Sequence, residues 1–121
     1  MKTTLSEEII LHITTSREWD QAVGLGVYQA ASLPSEGFMH CSRPEQVLLV
    51  ANTLFRDQAD LVLLCIDRNR VAAPIRDENL EGGVERFPHI YGSLNLDAVR
   101  QVVIFPPDHD GLFELPGELT G

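Results

Sequence analysis

Three short stretches of this chain set histidine inside or beside an apolar run. They are Ile9-Ile10-Leu11-His12-Ile13-Thr14, Glu36-Gly37-Phe38-Met39-His40-Cys41-Ser42 and Phe87-Pro88-His89-Ile90-Tyr91-Gly92. Histidine titrates near neutral pH, and one ring can serve as donor, acceptor, acid, base or ligand. Three of the four histidines in such settings point to one polar site lined by imidazoles.

Each stretch has its own spacing. Strand alternation puts Ile10, His12 and Thr14 on one face and Leu11 and Ile13 on the other. His12 and Thr14 then share a semi-polar face, which suits a hydrogen-bonded structural histidine as well as a ligand contact. His40 follows a glycine-led strand and shares its side with Ser42. The run Ser42-Arg43-Pro44-Glu45 reads as a helix start, and the N–H groups there attract anions such as phosphate. The plainer reading has Ser42 as a cap and His40 bonded to backbone. His89 and Tyr91 also alternate onto one side, with Glu85 four residues earlier as a source of a carboxylate. Pro88 and Gly92 punctuate that segment, and a surface loop with an aromatic anchor is its plainer reading.

Other chemistries lack their spacing. His12, His40, His89 and Cys41 include no pair at close ligand spacing, such as His-x3-His or CxxC, so no metal is expected. Cys41 alternates out of phase with His40, and apolar neighbours raise a thiol's pKa, which argues against a Cys–His nucleophile. Cys65 lies in an equally apolar run and reads as a buried thiol. The chain has no GxSxG, P-loop or GxGxxG.

The elements that must carry these residues are legible in outline. Glu8 to Thr14 reads as a strand. Ser16 then caps a helix with Trp19, Ala22 and Val23 at helical spacing, ended by Gly24 and Gly26. Val27-Tyr28 reads as a short strand, Leu33 to Gly37 as a turn, and Phe38 to Cys41 as a short apolar segment. The pattern of Val47, Leu48, Val50, Ala51, Leu54 and Phe55 predicts a helix from the Ser42 start to about Arg56. Asp60 to Asp67 has a continuous apolar core and predicts a central strand buried on both faces. Val71 to Arg76 reads as a strand interrupted by Pro74, Asp77 to Glu85 as a loop or hairpin, and Tyr91 to Asn95 as a loop. Asn95 can cap a helical turn at Leu96 to Val99, and Gln101 to Phe105 is a last strand stopped by Pro106-Pro107. Strands interleaved with two good helices predict an α+β fold.

Composition bounds the reading further. The 121 residues suit a single domain with a core at about 8–105 and a peripheral acidic tail at 106–121, dispensable for the fold. A chain this long can bury enough surface to fold without disulfides or metal. The net charge of −9 argues against nucleic acid and anionic membranes as partners. No apolar run approaches the ~20 residues of a membrane span. The polar stretch Met1 to Glu8 lacks the features of a signal peptide, so a cytoplasmic location is expected. The oligomeric state is not legible.

The segments Leu11-His12-Ile13, Glu36 to Ser42, Gln46-Val47, Asp60 to Leu64 and Phe87 to Gly92 with Leu94-Asn95 resemble a bacterial family of unknown function, DUF952. That family is similar in fold to the ADP-ribosyltransferase superfamily, nearest the clade of RNA 2′-phosphotransferases. The resemblance implies two small, mostly antiparallel sheets forming an NAD cleft, with two main helices. It implies that His12 contacts the NAD ribose and that His40 lies near the nicotinamide side, as the two catalytic histidines. Thr14, Ser42, His89 and Tyr91 then become candidate NAD contacts: hydroxyl bonding, an anion near the helix start, and ring stacking. No glutamate of this chain is matched to the late acidic position of that superfamily. The expected activity is an NAD-dependent transferase or a hydrolase acting on ADP-ribosyl groups. A non-catalytic module that binds NAD or a related nucleotide is the alternative, and a regulatory interaction domain is a third.

Overall fold

The computed structural model describes residues 8–79 and 83–119. The chain forms β1 (Ile9–Thr15), α1 (Ser16–Leu25), β2 (Val27–Tyr28), α2 (Ser32–Glu36), β3 (Met39–His40) and α3 (Val47–Leu54). There follow β4 (Leu61–Asp67), β5 (Ile75–Glu78), β6 (Phe87–Ile90), β7 (Leu94–Asn95) and β8 (Val99–Ile104). Short 3₁₀ turns lie at Arg68–Arg70, Leu96–Ala98 and Gly117–Leu119. The fold is α+β, with antiparallel sheets ordered β1-β4-β8, β2-β7 and β3-β6-β5. The described residues thus make three sheets where two were expected, because Val27-Tyr28 pairs with Asn95 and Leu94 as a separate ribbon.

β4 organises the core. It lies between β1 and β8, and alternation sends its side chains into two different clusters. Val62, Leu64 and Ile66 join Ile10, Tyr28, Met39, Ile90 and Leu94 on one side. Leu61, Leu63 and Cys65 join Leu11, Val47, Ala51, Val103 and Phe105 on the other. The expected two-sided burial of this strand holds, on antiparallel neighbours. Trp19 fastens α1 against the first cluster.

One small junction fixes the geometry of the rest. Leu11 and Ser42 exchange backbone hydrogen bonds, N–H to O, of 2.7 and 2.8 Å. That pairing lays the end of β3 along β1, so the first and third sheets meet edge to edge at His12 and His40. Cys41 N–H also donates to the Pro88 carbonyl at 3.0 Å, which holds the same segment to β6.

Several local expectations are corrected. Thr15, not Ser16, caps α1: its hydroxyl accepts from Glu18 N–H at 3.1 Å, while Ser16 N–H donates to the Asp60 carbonyl. Thr15 and Glu18 have the spacing of a capping box, and Thr15 donates back to the Glu18 carboxylate. α3 begins at Val47, five residues after Ser42, because the Ser42 backbone is committed to Leu11. Leu33 to Gly37 is not only a turn: α2 occupies most of it and ends at Gly37 in the left-handed region, φ 85°. β5 starts just after Pro74 and runs into the stretch read as loop, where Leu80 to Gly82 lie outside the described residues.

The tail is not peripheral. Phe113 and Leu119 are buried in the second cluster, and Leu115 packs against it. The Phe113 ring stacks on Phe105 at 4.8 Å, and its N–H donates to the Asn52 side chain at 2.7 Å. Gly111 makes the turn that allows this. It has φ 82°, and any Cβ there would meet the Asp57 carboxylate. Asp108, Asp110 and Glu114 face solvent while Phe113, Leu115 and Leu119 join the core.

Candidate functional site

A cleft of about 680 Å³ opens where β1 meets β3. That volume lies in the range of small-molecule sites. Its two ends differ chemically. One end is polar and aromatic, with Ser32, Glu36, Phe38, His40, Glu78 and His89; the other is apolar, with Leu11, Ile13, Val50, Leu54 and Phe55. His12, Cys41 and Ser42 lie at the seam between them.

The register of the third sheet builds the polar wall. His40 and His89 are direct cross-strand partners, so both imidazoles stand on one face, with ring centroids 5.3 Å apart. Phe38 lies two residues before His40 on the same face. Its ring stacks on His89 at 4.3 Å and touches His40 edge-on at 4.9 Å. Met39, Ile90 and Ile75 take the opposite face, where they meet the core.

Each imidazole has its own carboxylate. His89 Nδ1–H donates to Glu78 Oε1 at 3.0 Å, which leaves Nε2 directed elsewhere. Glu78 lies diagonally across the β5–β6 pair from His89, a position from which side chains meet. The Tyr91 hydroxyl donates to the same Glu78 oxygen. The Tyr91 bond first, and the His89 bond second, hold the Glu78 carboxyl below the usual carboxylate range. Glu78 in turn pushes the Tyr91 phenol above its ordinary value. The Arg76 guanidinium lies over the Tyr91 ring, 5.0 Å from its centroid. His40 is different: its side chain is 52% exposed, and Nε2 lies 3.2 Å from both oxygens of Glu36.

His12 is the internal member of the group. Nδ1–H donates to the His40 backbone carbonyl at 2.6 Å, and Nε2 lies 2.8 Å from the Tyr28 hydroxyl. Tyr28 Oη is also 3.0 Å from Thr14 Oγ1, which is 3.1 Å from Glu18 Oε1. Burial lowers the His12 pKa, against the opposing pull of the His40 carbonyl. A neutral His12 with its proton on Nδ1 makes Tyr28 the donor to Nε2. The Tyr28 proton is shared with Thr14 Oγ1, whose own proton goes to the Glu18 carboxylate. Burial raises the Tyr28 phenol to about 12, so it keeps that proton.

The residues singled out by sequence are thus distributed unevenly. His12, His40, Ser42 and His89 line the cleft. Thr14 is buried behind it and bonded within the fold, and Tyr91 touches Phe38 at 5.2 Å without forming the wall. Ser42 lines the seam, but the helix N-terminus expected beside it is displaced to Val47. Glu85 does not serve His89; it accepts from the Gln46 amide and from Arg43. Arg43 is further held by Glu45 and by the Arg86 carbonyl. Cys41 is buried, and burial pushes its thiol up to about 12, which makes it a poor nucleophile. Among the described residues no three potential ligands gather as a metal site. Glu36, Phe38 and Glu78 were not anticipated. Phe38 was visible as the alternation partner of His40, and Glu36 stands four residues before it, but Glu78 depends on the pairing of β5 with β6.

The match of the DUF952 family model, described as a protein of unknown function, spans residues 13–102. The chain belongs to this family. It is also similar to the solved protein CC0527 from Caulobacter crescentus. The crystal structure of that protein gives a TM-score of 0.80 at 34% identity, over 88% of this chain and 94% of that one. Its solution NMR structure gives 0.81 at 33% identity, over 93% and 97%. No curated protein matches. No described helix of this DUF952 member is long and apolar enough to cross a membrane.

Proposed function

We propose that the cleft of this DUF952 protein binds NAD and that an ADP-ribosyl group is transferred or hydrolysed at its polar end. The observation that carries this reading is the Glu78 carboxylate. One of its oxygens accepts from both Tyr91 and His89, and the group lines the cleft in ionised form. Departure of nicotinamide leaves positive charge on the ribose, and a fixed anion stabilises such charge where it develops. Little acid–base chemistry is needed beyond that, so positioning dominates. The half-exposed His40 is suited to bond a hydroxyl or phosphate oxygen of the ligand.

A second reading, NAD binding without chemistry, is favoured by one specific feature. Both ring nitrogens of His12 are already bonded inside the protein, so its part is to position His40. Thermal unfolding with NAD, ADP-ribose and nicotinamide tests binding, since a ligand that binds the folded state raises its stability by mass action. Chromatographic detection of released nicotinamide then separates the two readings. Binding with release supports the transferase or hydrolase, and binding without release supports the sensor. No stabilisation by any of the three ligands removes both.

A further inference from the structure

The apolar end of the cleft has no part in the reading above, and its composition is unusual for a surface. Leu54 is 68% exposed, yet it stands on the wall of the cleft with Val50 and Phe55 from the same helix region. Leu11 and Ile13 of β1 line the same end. These are the residues that alternate away from His12, so one strand supplies His12 to the seam and apolar positions to this end. Sequence periodicity explains Val47 and Ala51 as the buried face of α3. The same periodicity sets Leu54 on that face, yet its side chain is left exposed at the last helical position. Contiguous apolar surface in a concave setting marks a binding site more often than it marks a defect of packing.

We infer that this apolar end is a second subsite, which takes the aliphatic or aromatic body of a small uncharged molecule while that molecule's hydroxyl reaches the seam at Ser42. No charged side chain lines this end; the carboxylates of the cleft, Glu36 and Glu78, belong to the polar end. A nucleic-acid or anionic acceptor would therefore lack a partner here, in keeping with the net charge of −9. Its assignment as the acceptor subsite rests on the proposed ADP-ribosyl chemistry. In that step the bond from the ribose anomeric carbon to the nicotinamide nitrogen breaks, and its electron pair leaves with nicotinamide. The acceptor oxygen forms the new bond to that carbon, and the proton it loses passes to solvent.

The test uses the full chain and a homologous series of straight-chain primary alcohols from butanol to nonanol, titrated by calorimetry. Burial of each added methylene in an apolar subsite raises affinity about fourfold, so affinity climbs along the series until the end is full. Leu54→Asp lowers the affinity of the longer alcohols about tenfold or more. Ile104→Asp, at an apolar residue 74% exposed on β8 and outside the cleft, leaves it unchanged. Affinity independent of chain length, or an equal loss in both variants, overturns the subsite. A parallel titration of the wild type with NAD keeps the two ideas apart. If the alcohols behave as stated and NAD does not bind, the apolar subsite stands and the nucleotide reading falls. If NAD binds and the alcohols show no such dependence, the reverse holds.

Discussion

His12 donates its Nδ1 proton to the backbone carbonyl of His40 at 2.6 Å. The two histidines are therefore coupled through the main chain, and only one of them presents an available imidazole to the cleft. The distinction follows from sheet geometry. Leu11 pairs with Ser42, and the side chain of the next residue, His12, reaches back to the carbonyl two residues earlier on the partner strand.

That coupling separates the two histidines energetically. His12→Ala leaves the His40 carbonyl without its partner in a buried setting, and the Tyr28 hydroxyl with Thr14 alone, which costs about 1–3 kcal/mol for such groups. His40→Ala removes a half-exposed ring and its contact with Glu36, worth at most about 1 kcal/mol. Urea melts of the two variants measure the difference. Equal destabilisation would contradict the geometry, and so would a larger loss for His40→Ala.

The same burial gives the protein a pH dependence of defined sign. The unfolded chain takes up the His12 proton near the ordinary value of 6.5, while the folded chain takes it up only at lower pH. Between those two values the unfolded state binds more protons, so stability is full above about pH 7 and falls as the pH drops. One such group contributes a slope of at most about 1.4 kcal/mol per pH unit. Stability curves between about pH 7.5 and pH 5 should therefore be flatter for His12→Gln than for the wild type. A steeper curve for the variant would reverse the sign and exclude a neutral, buried His12.

These relationships bear on what the sequence could disclose. The alternation that sets Ile10, His12 and Thr14 on one face was legible, because a strand of period two between polar flanks leaves little choice. The central place of Leu61 to Asp67 was legible for a similar reason, its unbroken apolar run. The meeting of His40 with His89 was not, since it depends on which strands pair and in what register, and β3 spans only two residues. Glu78 escaped for the same reason. Glu85 was nearer in sequence to His89, but β5 brings Glu78 across the sheet while Glu85 turns to Gln46. The start of α3 was misplaced because the cap signal at Ser42 is sound locally, and a backbone pairing with Leu11 overrides it.

Glu78 can be tested apart from any ligand. Its carboxylate accepts the Tyr91 hydroxyl proton and raises that phenol above 10.0, while the other tyrosine, Tyr28, is raised to about 12 by burial. Glu78→Gln removes the negative charge, and the Arg76 guanidinium remains over the ring. Ultraviolet titration of phenolate should then show one tyrosine moving down toward 10 while the other stays high, and Tyr91→Phe should abolish the moving transition. If neither tyrosine moves in Glu78→Gln, the Tyr91–Glu78 bond is not part of the folded protein in solution.

The tail offers the most direct check on how the core is closed. Residues after Pro107 read as an acidic appendage, but Phe113 and Leu119 are buried in the cluster that also holds Leu11, Val47 and Phe105. The same cluster supports β1 and α3, the two elements that form the apolar end of the cleft. Phe113→Ala removes a ring stacked on Phe105 and should cost about 3–5 kcal/mol, the usual range for a buried phenylalanine. That is a large part of the 5–15 kcal/mol by which domains of this kind are stable, roughly speaking. Truncation after Pro107 also takes Leu119 and the Gly111 turn that anchors Asp57, so the shortened chain should fail to fold cooperatively. Circular dichroism melts of the full chain, Phe113→Ala and the truncated chain give the ranking. A truncated protein that melts cooperatively within about 5 °C of the full chain would correspond to a loss of only about 1 kcal/mol, and would return the tail to the periphery.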